Sequence, residues 1–258
     1  MPFTVAHAAA ALPLRRLNLI WSAFIIGSFA PDFPYIIGST KYRYLGHAFP
    51  GVVLFALPAS FVALWLFHAA VKRPVVGLFP VGFQQRLRPY LGKFQFGGFT
   101  RFVAILFSIA LGIALHLLWD AFTHPFTWPW RHSLFLRLWV TLPVVGWTPI
   151  FQVLQYGSTV VGLVAIAVWV LLWYRNTTQL ARTAPSQPQS RFSLALLIFA
   201  AATAAGFLRA AVVVGMPTGF KGSDEFMLVF SVTSLALAFW MLLLYCLLAT
   251  AGLTSTAS

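Results

Sequence analysis

Five long apolar runs constrain this chain more than any other feature of its sequence. Each run has about 20 residues, the length that an α-helix needs to cross a hydrocarbon core of ~30 Å. Of the 258 residues, 60% are hydrophobic and only 8% are charged, so the chain cannot cover a water-exposed globular surface. We therefore predict an all-α, polytopic helical membrane protein with five clear transmembrane helices, at residues 50–71, 102–122, 151–174, 192–216 and 226–249.

The N-terminal segment is also apolar, but its two parts are too short to span a membrane alone. Residues 4–14 and 17–30 would form helices of about 17–21 Å at ~1.5 Å per residue. One solution is a helical hairpin with Arg15 and Arg16 at its tip, which returns His7 and Asp32 to the same side. The other is a single Pro-kinked span, which leaves His7 cytoplasmic and Asp32 outside. The sequence leaves both arrangements open.

Two polar segments divide the rest of the chain. Residues 123–149 combine tryptophans with prolines and arginines, a mixture typical of a segment that lies in the membrane interface. Residues 176–190 are rich in Thr, Gln, Ser and Pro, as expected of a flexible linker. We thus expect a motif-bearing membrane domain at 1–175, a cytoplasmic linker at 176–190 and a two-helix membrane segment at 191–258.

Basic residues predict the orientation of the protein. They concentrate after the first apolar run and around the linker, and the positive-inside rule assigns such loops to the cytoplasm. We expect a multi-pass protein of the bacterial inner membrane, with the tryptophan-rich segment outside. Cytoplasmic loops and anionic headgroups account for the net charge of +13, so nucleic acid is not an expected partner. The basic residues in question are Lys72, Arg73, Arg86, Arg88, Lys93, Arg101, Arg175, Arg182 and Arg191.

The most informative polar residues form an H-x-x-x-D-x-x-x-H series that begins in the second run and ends just after it. At ~100° per residue, positions i, i+4 and i+8 of a helix drift by only about 80°, so three side chains can converge on one point. Imidazole and carboxylate groups suit Zn²⁺, Mn²⁺ or Fe²⁺, and the single cysteine, Cys246, excludes a cysteine cage. The series predicts a ligand face made of His116, Asp120 and His124.

A structural explanation of Asp120 competes with a metal site. Arg209 lies well inside the fourth run at a similar depth, and the two residues could form a buried ion pair that needs no metal. Ionisable residues inside a membrane are functional by default, which favours the metal site. The ion pair stays open as the alternative.

Three more residues can join the series. Asp32, His47 and, in the hairpin arrangement, His7 are expected on the same side of the membrane. Alone, Asp32 could form a turn or cap and His47 could lie at the interface, as we interpret His68 and His132. Together the six ligands would suffice for two ions with three ligands each, and a smaller set would hold one. The six are His7, Asp32, His47, His116, Asp120 and His124.

Four segments resemble an uncharacterised bacterial integral-membrane family that is classed as a domain of unknown function. The resemblance covers about the first 175 residues and depends on the order of its motifs. These are the opening MPFTVAHAAAALPLRR, SFAPDFPY at 28–35, HAFPG at 47–51 and HLLWDAFTH at 116–124. The family has no established activity that can be carried over.

More distantly, the order of histidines and aspartates is similar to that of inner-membrane metal-dependent hydrolases, of soluble zinc-dependent phospholipases C and of single-strand nucleases. This similarity implies that the six ligands bind zinc and that water attacks a phosphodiester. The chain lacks the final H-x-x-x-E pair and the metal-ligating N-terminal tryptophan of the soluble enzymes. Both departures argue against a trinuclear cluster. We therefore expect one or two divalent cations, with zinc as the first expectation.

The sequence leads to one main functional hypothesis. We expect a membrane-embedded hydrolase, with its site on the extracytoplasmic side, that cleaves a phosphoester of a lipid or lipid-linked substrate. Asp120 and Arg209 are the expected catalytic residues, with Arg209 stabilising the phosphate charge, and Asp224 and Glu225 could add a base or a ligand. The alternatives are a non-enzymatic transporter or assembly factor whose cluster handles ions or protons, and a structural metal clamp. The sequence does not predict the oligomeric state.

Overall fold

The computed structural model describes residues 4–37, 42, 44–143, 146–177, 191–216 and 219–253 of the chain. Within these residues, five helices are long and apolar enough to cross a membrane: Phe49–Gly77, Phe99–His132, Ile150–Asn176, Phe192–Val213 and Asp224–Thr250. Each overlaps one of the five predicted runs, and the strands of the described part form a single short hairpin. The prediction of an all-α, multi-pass membrane protein is confirmed.

An N-terminal hairpin, residues 4–36, precedes the first span. It consists of a 3₁₀-helix at Thr4–Ala11, turns at 12–17, α1 (Trp21–Phe29), a 3₁₀-turn at Ala30–Asp32 and α2 (Phe33–Ile36). The hydroxyl of Thr4 donates a hydrogen bond of 2.7 Å to Oδ2 of Asp32, so the two ends of the segment meet. The hairpin is therefore the observed arrangement, and the Pro-kinked single span is wrong. Arg15 and Arg16 are exposed at the turn, as the hairpin requires.

The first span is a continuous helix that contains two π-helical segments. It follows α3 (Tyr44–His47) and is made of α4 (Phe49–Gly51), α5 (Leu57–Leu66) and α6 (Lys72–Gly77), joined through Val52–Ala56 and Phe67–Val71. A connection with α7 (Val81–Leu87) and a 3₁₀-turn (Arg88–Leu91) leads to α8 (Phe99–Thr123). α8 carries the first two residues of the polar series.

The tryptophan-rich segment after α8 forms two short helices and a β-hairpin. These are α9 (Trp128–His132), α10 (Leu134–Arg137) and the antiparallel strands β1 (Trp139–Leu142) and β2 (Gly146–Pro149). Trp139 pairs with Pro149, and Leu142 pairs with Gly146. The sequence analysis missed the strands, although their β-branched and aromatic residues are typical of this structure.

Three long helices complete the chain: α11 (Ile150–Asn176), α12 (Phe192–Val213) and α13 (Gly219–Thr250). α12 and α13 pack against each other, and α13 also contacts α2 and α6. Most of the predicted linker at 176–190 lies outside the described residues. The division of the chain into two membrane segments and a linker therefore stays a prediction.

Close packing between α1 and α8 positions the N-terminal hairpin. Gly27 faces the backbone of Ile109, Gly112 faces the backbone of Phe24, and a Cβ atom on either glycine would overlap those backbone atoms. Apolar side chains of α1, α5 and α8, including Ala23 and Leu64, form a buried cluster around this contact. The close approach places α1 and the turn Ala30–Asp32 against the part of α8 that carries His116 and Asp120.

Candidate metal centre

Asp120 lies at the centre of a group of histidines that come from three separate segments. On α8, His116 precedes it by one helical turn, and Nε2 of His116 is 3.4 Å from Oδ2 of Asp120. His124 immediately follows the helix in an extended conformation, and its Nδ1 is 3.6 Å from Oδ1. The i+4 spacing therefore places these three side chains together, although His124 is the C-cap of α8 and not part of the helix.

The N-terminal hairpin and α3 each add a histidine to Asp120. Nε2 of His7, from the first 3₁₀-helix, is 3.5 Å from Oδ1 of Asp120. Nε2 of His47, the last residue of α3, is 3.4 Å from Oδ2. Four histidines thus surround one carboxylate. His7 can reach this position only because the hairpin returns the first segment to the end of α8.

Asp32 supplies a second carboxylate to the same group. Its Oδ1 is 3.7 Å from Nε2 of His47 and 3.9 Å from Nε2 of His116, while its Oδ2 accepts the hydrogen bond from Thr4. The hydroxyl of Thr4 therefore occupies one carboxylate oxygen and leaves the other directed towards the histidines. This arrangement is what a ligand oxygen with an outer hydrogen-bond partner requires.

The distances between these atoms fit the ligands of one cation. Two ligand atoms bound at ~2.0–2.1 Å in tetrahedral geometry lie about 3.3 Å apart, which is longer than a hydrogen bond and close to the shortest separations observed. Two overlapping groups have ligand atoms within 4.8 Å of one another: His7, Asp32 and His116, and His47, His116 and Asp120. These buried histidines and aspartates could hold a metal ion.

Several buried polar atoms of the group lack a hydrogen-bond partner. Both ring nitrogens of His7, Nε2 of His116 and Oδ1 of Asp120 are inaccessible and make no hydrogen bond with any residue that the structure describes. The rings of His7 and His116 stack with centroids 4.0 Å apart, so the two histidines share one side of the group. Because buried polar atoms are normally satisfied, unpartnered nitrogen and oxygen atoms on three neighbouring side chains indicate a site for a cation.

A backbone contact fixes the ring of His116. Its Nδ1 lies 2.7 Å from the carbonyl oxygen of Ser28, and since a carbonyl can only accept, Nδ1 carries the proton and donates it. Nε2 then has a free lone pair that points towards the two carboxylates. A histidine ligand held by a carbonyl on its other nitrogen is the usual arrangement in metal sites.

The group is buried on one side and open on the other. His7, His116, Asp32 and Asp120 are buried, whereas the side chains of His47 and His124 are 30% and 31% exposed. An ion at this position would therefore be reached past His47 and His124. Closed sites are typical of structural metals, and sites with an open position are typical of catalysis.

Other residues considered from the sequence lie apart from this group. Arg209 donates a hydrogen bond of 2.9 Å to the hydroxyl of Thr233 in α13, and among the described residues it forms no ion pair with Asp120. The role of Arg209 in stabilising a phosphate thus stays a prediction. Asp224 accepts hydrogen bonds from Gln152 and Tyr156 and belongs to neither ligand group.

The two remaining histidines have ordinary partners. Nε2 of His68 is 2.9 Å from the hydroxyl of Ser22, and Nδ1 of His132 is 2.9 Å from the carbonyl oxygen of Trp128. Neither residue belongs to the ligand groups of the described chain. Their interpretation as interfacial histidines stays a prediction.

Sequence reasoning missed the residues that hold the ligands in place. Thr4 and Ser28 contact Asp32 and His116 through hydrogen bonds, and Gly46 packs directly against the backbone of Pro31 next to Asp32. The signal available was the position of these residues, because Thr4 and Ser28 lie inside the motif segments and Gly46 directly precedes one. Small residues beside ligands permit the close backbone approach that the group needs.

Comparisons with known proteins identify a family that matches this chain, but they assign no activity to it. A family model described as a domain of unknown function (DUF4184) matches residues 1–251. The match extends well past residue 175, the expected limit of the resemblance, and therefore includes the last two spans. No curated protein and no solved structure matches the chain, so the distant similarity to hydrolases stays an expectation.

Proposed function

The chain belongs to the DUF4184 family, and on that premise we propose that it is a membrane-embedded, metal-dependent hydrolase that cleaves a phosphoester of a lipid or lipid-linked substrate. The observation that carries the proposal is the convergence of five side chains on one point. They come from four separate segments of the chain, and several of their buried nitrogen and oxygen atoms have no hydrogen-bond partner within the described part of the chain. The five are His7, Asp32, His47, His116 and Asp120.

The donor set favours one divalent cation, with zinc as the first choice. The two ligand groups share His116, and only its Nε2 is available because Nδ1 donates to Ser28. One lone pair binds one ion, so the two groups describe a single site. The charges of Asp32 and Asp120 would together neutralise one divalent cation, which lowers the cost of holding it in an apolar setting.

Each part of the group has a role in the proposed reaction. A divalent cation, when bound, lowers the pKa of coordinated water and polarises a phosphoryl oxygen. His7, His116 and Asp120 would hold it from the buried side. His47 and His124 line the open side, where they could exchange protons with water or a leaving group.

The surroundings of the site favour a lipid as the substrate. The site lies at the end of a membrane-spanning helix, and the residues that follow include Phe126 and Trp128, which are 70% and 73% exposed. Phe49, next to His47, is 81% exposed. Exposed aromatic side chains at the end of a span are typical of the headgroup region, where a lipid phosphoester would meet the site.

A structural metal clamp is the second candidate, and one observation favours it. The ligands His7 and Asp32 belong to the N-terminal hairpin, whereas His116 and Asp120 belong to α8, so one ion would tie the two together. The open side of the site argues against a purely structural role, because structural metal sites are usually closed. A clamp predicts that metal removal lowers thermal stability without any associated turnover.

Phosphodiesterase assays on the detergent-purified protein test the proposal. We expect hydrolysis of phospholipid in mixed micelles or of a synthetic phosphodiester, loss of that activity with a chelator, and recovery with Zn²⁺, Mn²⁺ or Fe²⁺. His116→Ala and Asp120→Asn should each lower the rate by more than the ~10–100-fold that loss of an outer-shell partner causes.

Matched variants outside the site serve as controls. His132→Ala and Asp224→Asn make the same chemical changes away from the ligand groups and should leave the rate unchanged. If a protein with full metal content hydrolyses no phosphoester and loses only thermal stability on chelation, the clamp replaces the hydrolase.

A further inference from the structure

A second site lies at the opposite end of the helices from the candidate metal centre. A cavity of about 1010 Å³ lies between the end of the first span and the end of α13, beside residues 92–96. Its lining includes Trp65, Lys72, Arg73, Lys93, Arg191 and Tyr245. Four of these six side chains are basic.

The basic residues come from three parts of the chain. Lys72 and Arg73 begin α6, Lys93 lies in the connection before α8, and Arg191 directly precedes α12. Lys72 is 7% exposed, and its ammonium group donates to the carbonyl oxygen of Gly92. An ammonium has three protons, so Lys72 retains donors beyond this bond. Lys72 therefore brings an ammonium group with unused donors to the wall of the cavity.

The chain has no side-chain carboxylate at this end. Its four acidic residues are Asp32 and Asp120 at the metal centre, and Asp224 and Glu225 at the start of α13. Thr250, which lines the cavity, is about 39 Å from Asp224 along α13 at ~1.5 Å per residue. None of the four acidic side chains therefore lines the cavity.

We propose that this cavity binds a phosphate group, carried by an anionic phospholipid or by a soluble phosphate ligand. Lys72, Arg73 and Lys93 supply ammonium and guanidinium donors, which bind phosphate oxygens well. Trp65 and Tyr245 add an apolar wall beside the charged one, as an acyl chain would require. Basic cavities between membrane helices are known to bind lipid headgroups. The proposal does not depend on the metal centre.

Calorimetric titration of the detergent-purified full chain tests the proposal with three probes: dioctanoyl phosphatidylglycerol, dioctanoylglycerol and inorganic phosphate. We expect saturable binding of phosphatidylglycerol. In the double variant Arg73→Gln, Lys93→Gln the Kd should rise about 25-fold, or fivefold for each cation removed. Both side chains are exposed, so this variant should fold. Lys72→Gln tests the buried lysine separately, with the same rise of about fivefold in Kd expected.

The control removes the same charge from the same end of the molecule. Arg88 and Arg175 are exposed and do not line the cavity, so Arg88→Gln with Arg175→Gln should leave the Kd unchanged. Inorganic phosphate binding as tightly as the lipid would support the site and assign it to a soluble ligand. Equal losses in both double variants, or dioctanoylglycerol binding as tightly as phosphatidylglycerol, would overturn it.

Discussion

At the scale of single residues, the chemistry of the site depends on hydrogen bonds that orient the ligands. Asp32 and His116 each use one polar atom for an outer partner, Thr4 and the carbonyl oxygen of Ser28 respectively. Each then directs its other atom at the shared point. These outer partners matter as much as the ligands for the geometry of the site, because they determine which oxygen or nitrogen faces a cation.

Thr4→Val tests the contribution of the outer partner to Asp32. Valine has nearly the same shape but cannot donate to Oδ2, so the carboxylate should lose its orientation. We expect metal affinity to fall by about 10–100-fold, measured by competition with a chromophoric chelator. Thr159→Val is the matched control, since the Thr159 hydroxyl donates to the carbonyl of Gln155 in its own helix and Thr159 belongs to neither ligand group. Equal affinity in the two variants would contradict a role for Thr4.

Residue spacing made part of the site predictable. His116 and Asp120 are four residues apart on α8, and helical geometry alone brings them together, while His124 follows as the C-cap of the same helix. The contacts of Thr4 with Asp32 and of His116 with Ser28 join residues 28 and 88 positions apart. No local pattern specifies such contacts, because they depend on how helices pack. The alternative ion pair between Asp120 and Arg209 is not formed among the described residues, for the same reason. A similar depth in two spans does not make two residues neighbours, because that depends on how the helices pack.

At the scale of elements, the packing of α1 on α8 decides whether the N-terminal ligands reach the site. Gly27 and Gly112 let the two backbones approach closely, and the contact places Ser28 beside His116. The apolar pattern of residues 17–30 predicted a helix but not its direction, because a short apolar helix can form a hairpin arm or part of a kinked span. The Thr4–Asp32 contact is what distinguishes the two.

Gly112→Ala tests this contact. The added methyl group would overlap the backbone of Phe24, and overpacking of this kind costs about 1–3 kcal/mol. We expect a lower Tm and weaker metal binding, because α1 and Ser28 must move away from α8. Gly157→Ala is the control, as this helical glycine of α11 has open space around its Cβ position. A Gly112→Ala protein as stable and as well metallated as the control would rule out the close contact.

At the scale of the whole molecule, charge is distributed unevenly between the two ends of the helices. All four side-chain carboxylates lie at the metal-centre end or at the start of α13, and the basic cavity lies at the other end. The positive-inside rule predicts that the cavity faces the cytoplasm and that the metal centre faces outward. This sidedness follows from the sequence alone and stays a prediction.

Cysteine labelling of intact cells tests the sidedness. In a Cys246→Ser background, Tyr90→Cys lies in the basic connection and Phe135→Cys lies in α10, and both native side chains are more than half exposed. We expect a membrane-impermeant maleimide to label position 135 and to leave position 90 unlabelled until the cells are broken. The reverse pattern would place the metal centre on the cytoplasmic side.

The metal-to-protein ratio of the purified protein, measured by inductively coupled plasma mass spectrometry, tests the central claim most directly. We predict about one divalent ion per chain, a ratio near zero for Asp120→Asn and for His116→Ala, and an unchanged ratio for Asp224→Asn. Adding Arg209→Gln to Asp120→Asn should not restore the ion or the stability, because the two residues do not pair. Full occupancy in His116→Ala, or a wild-type protein that never holds stoichiometric metal, would contradict the metal centre.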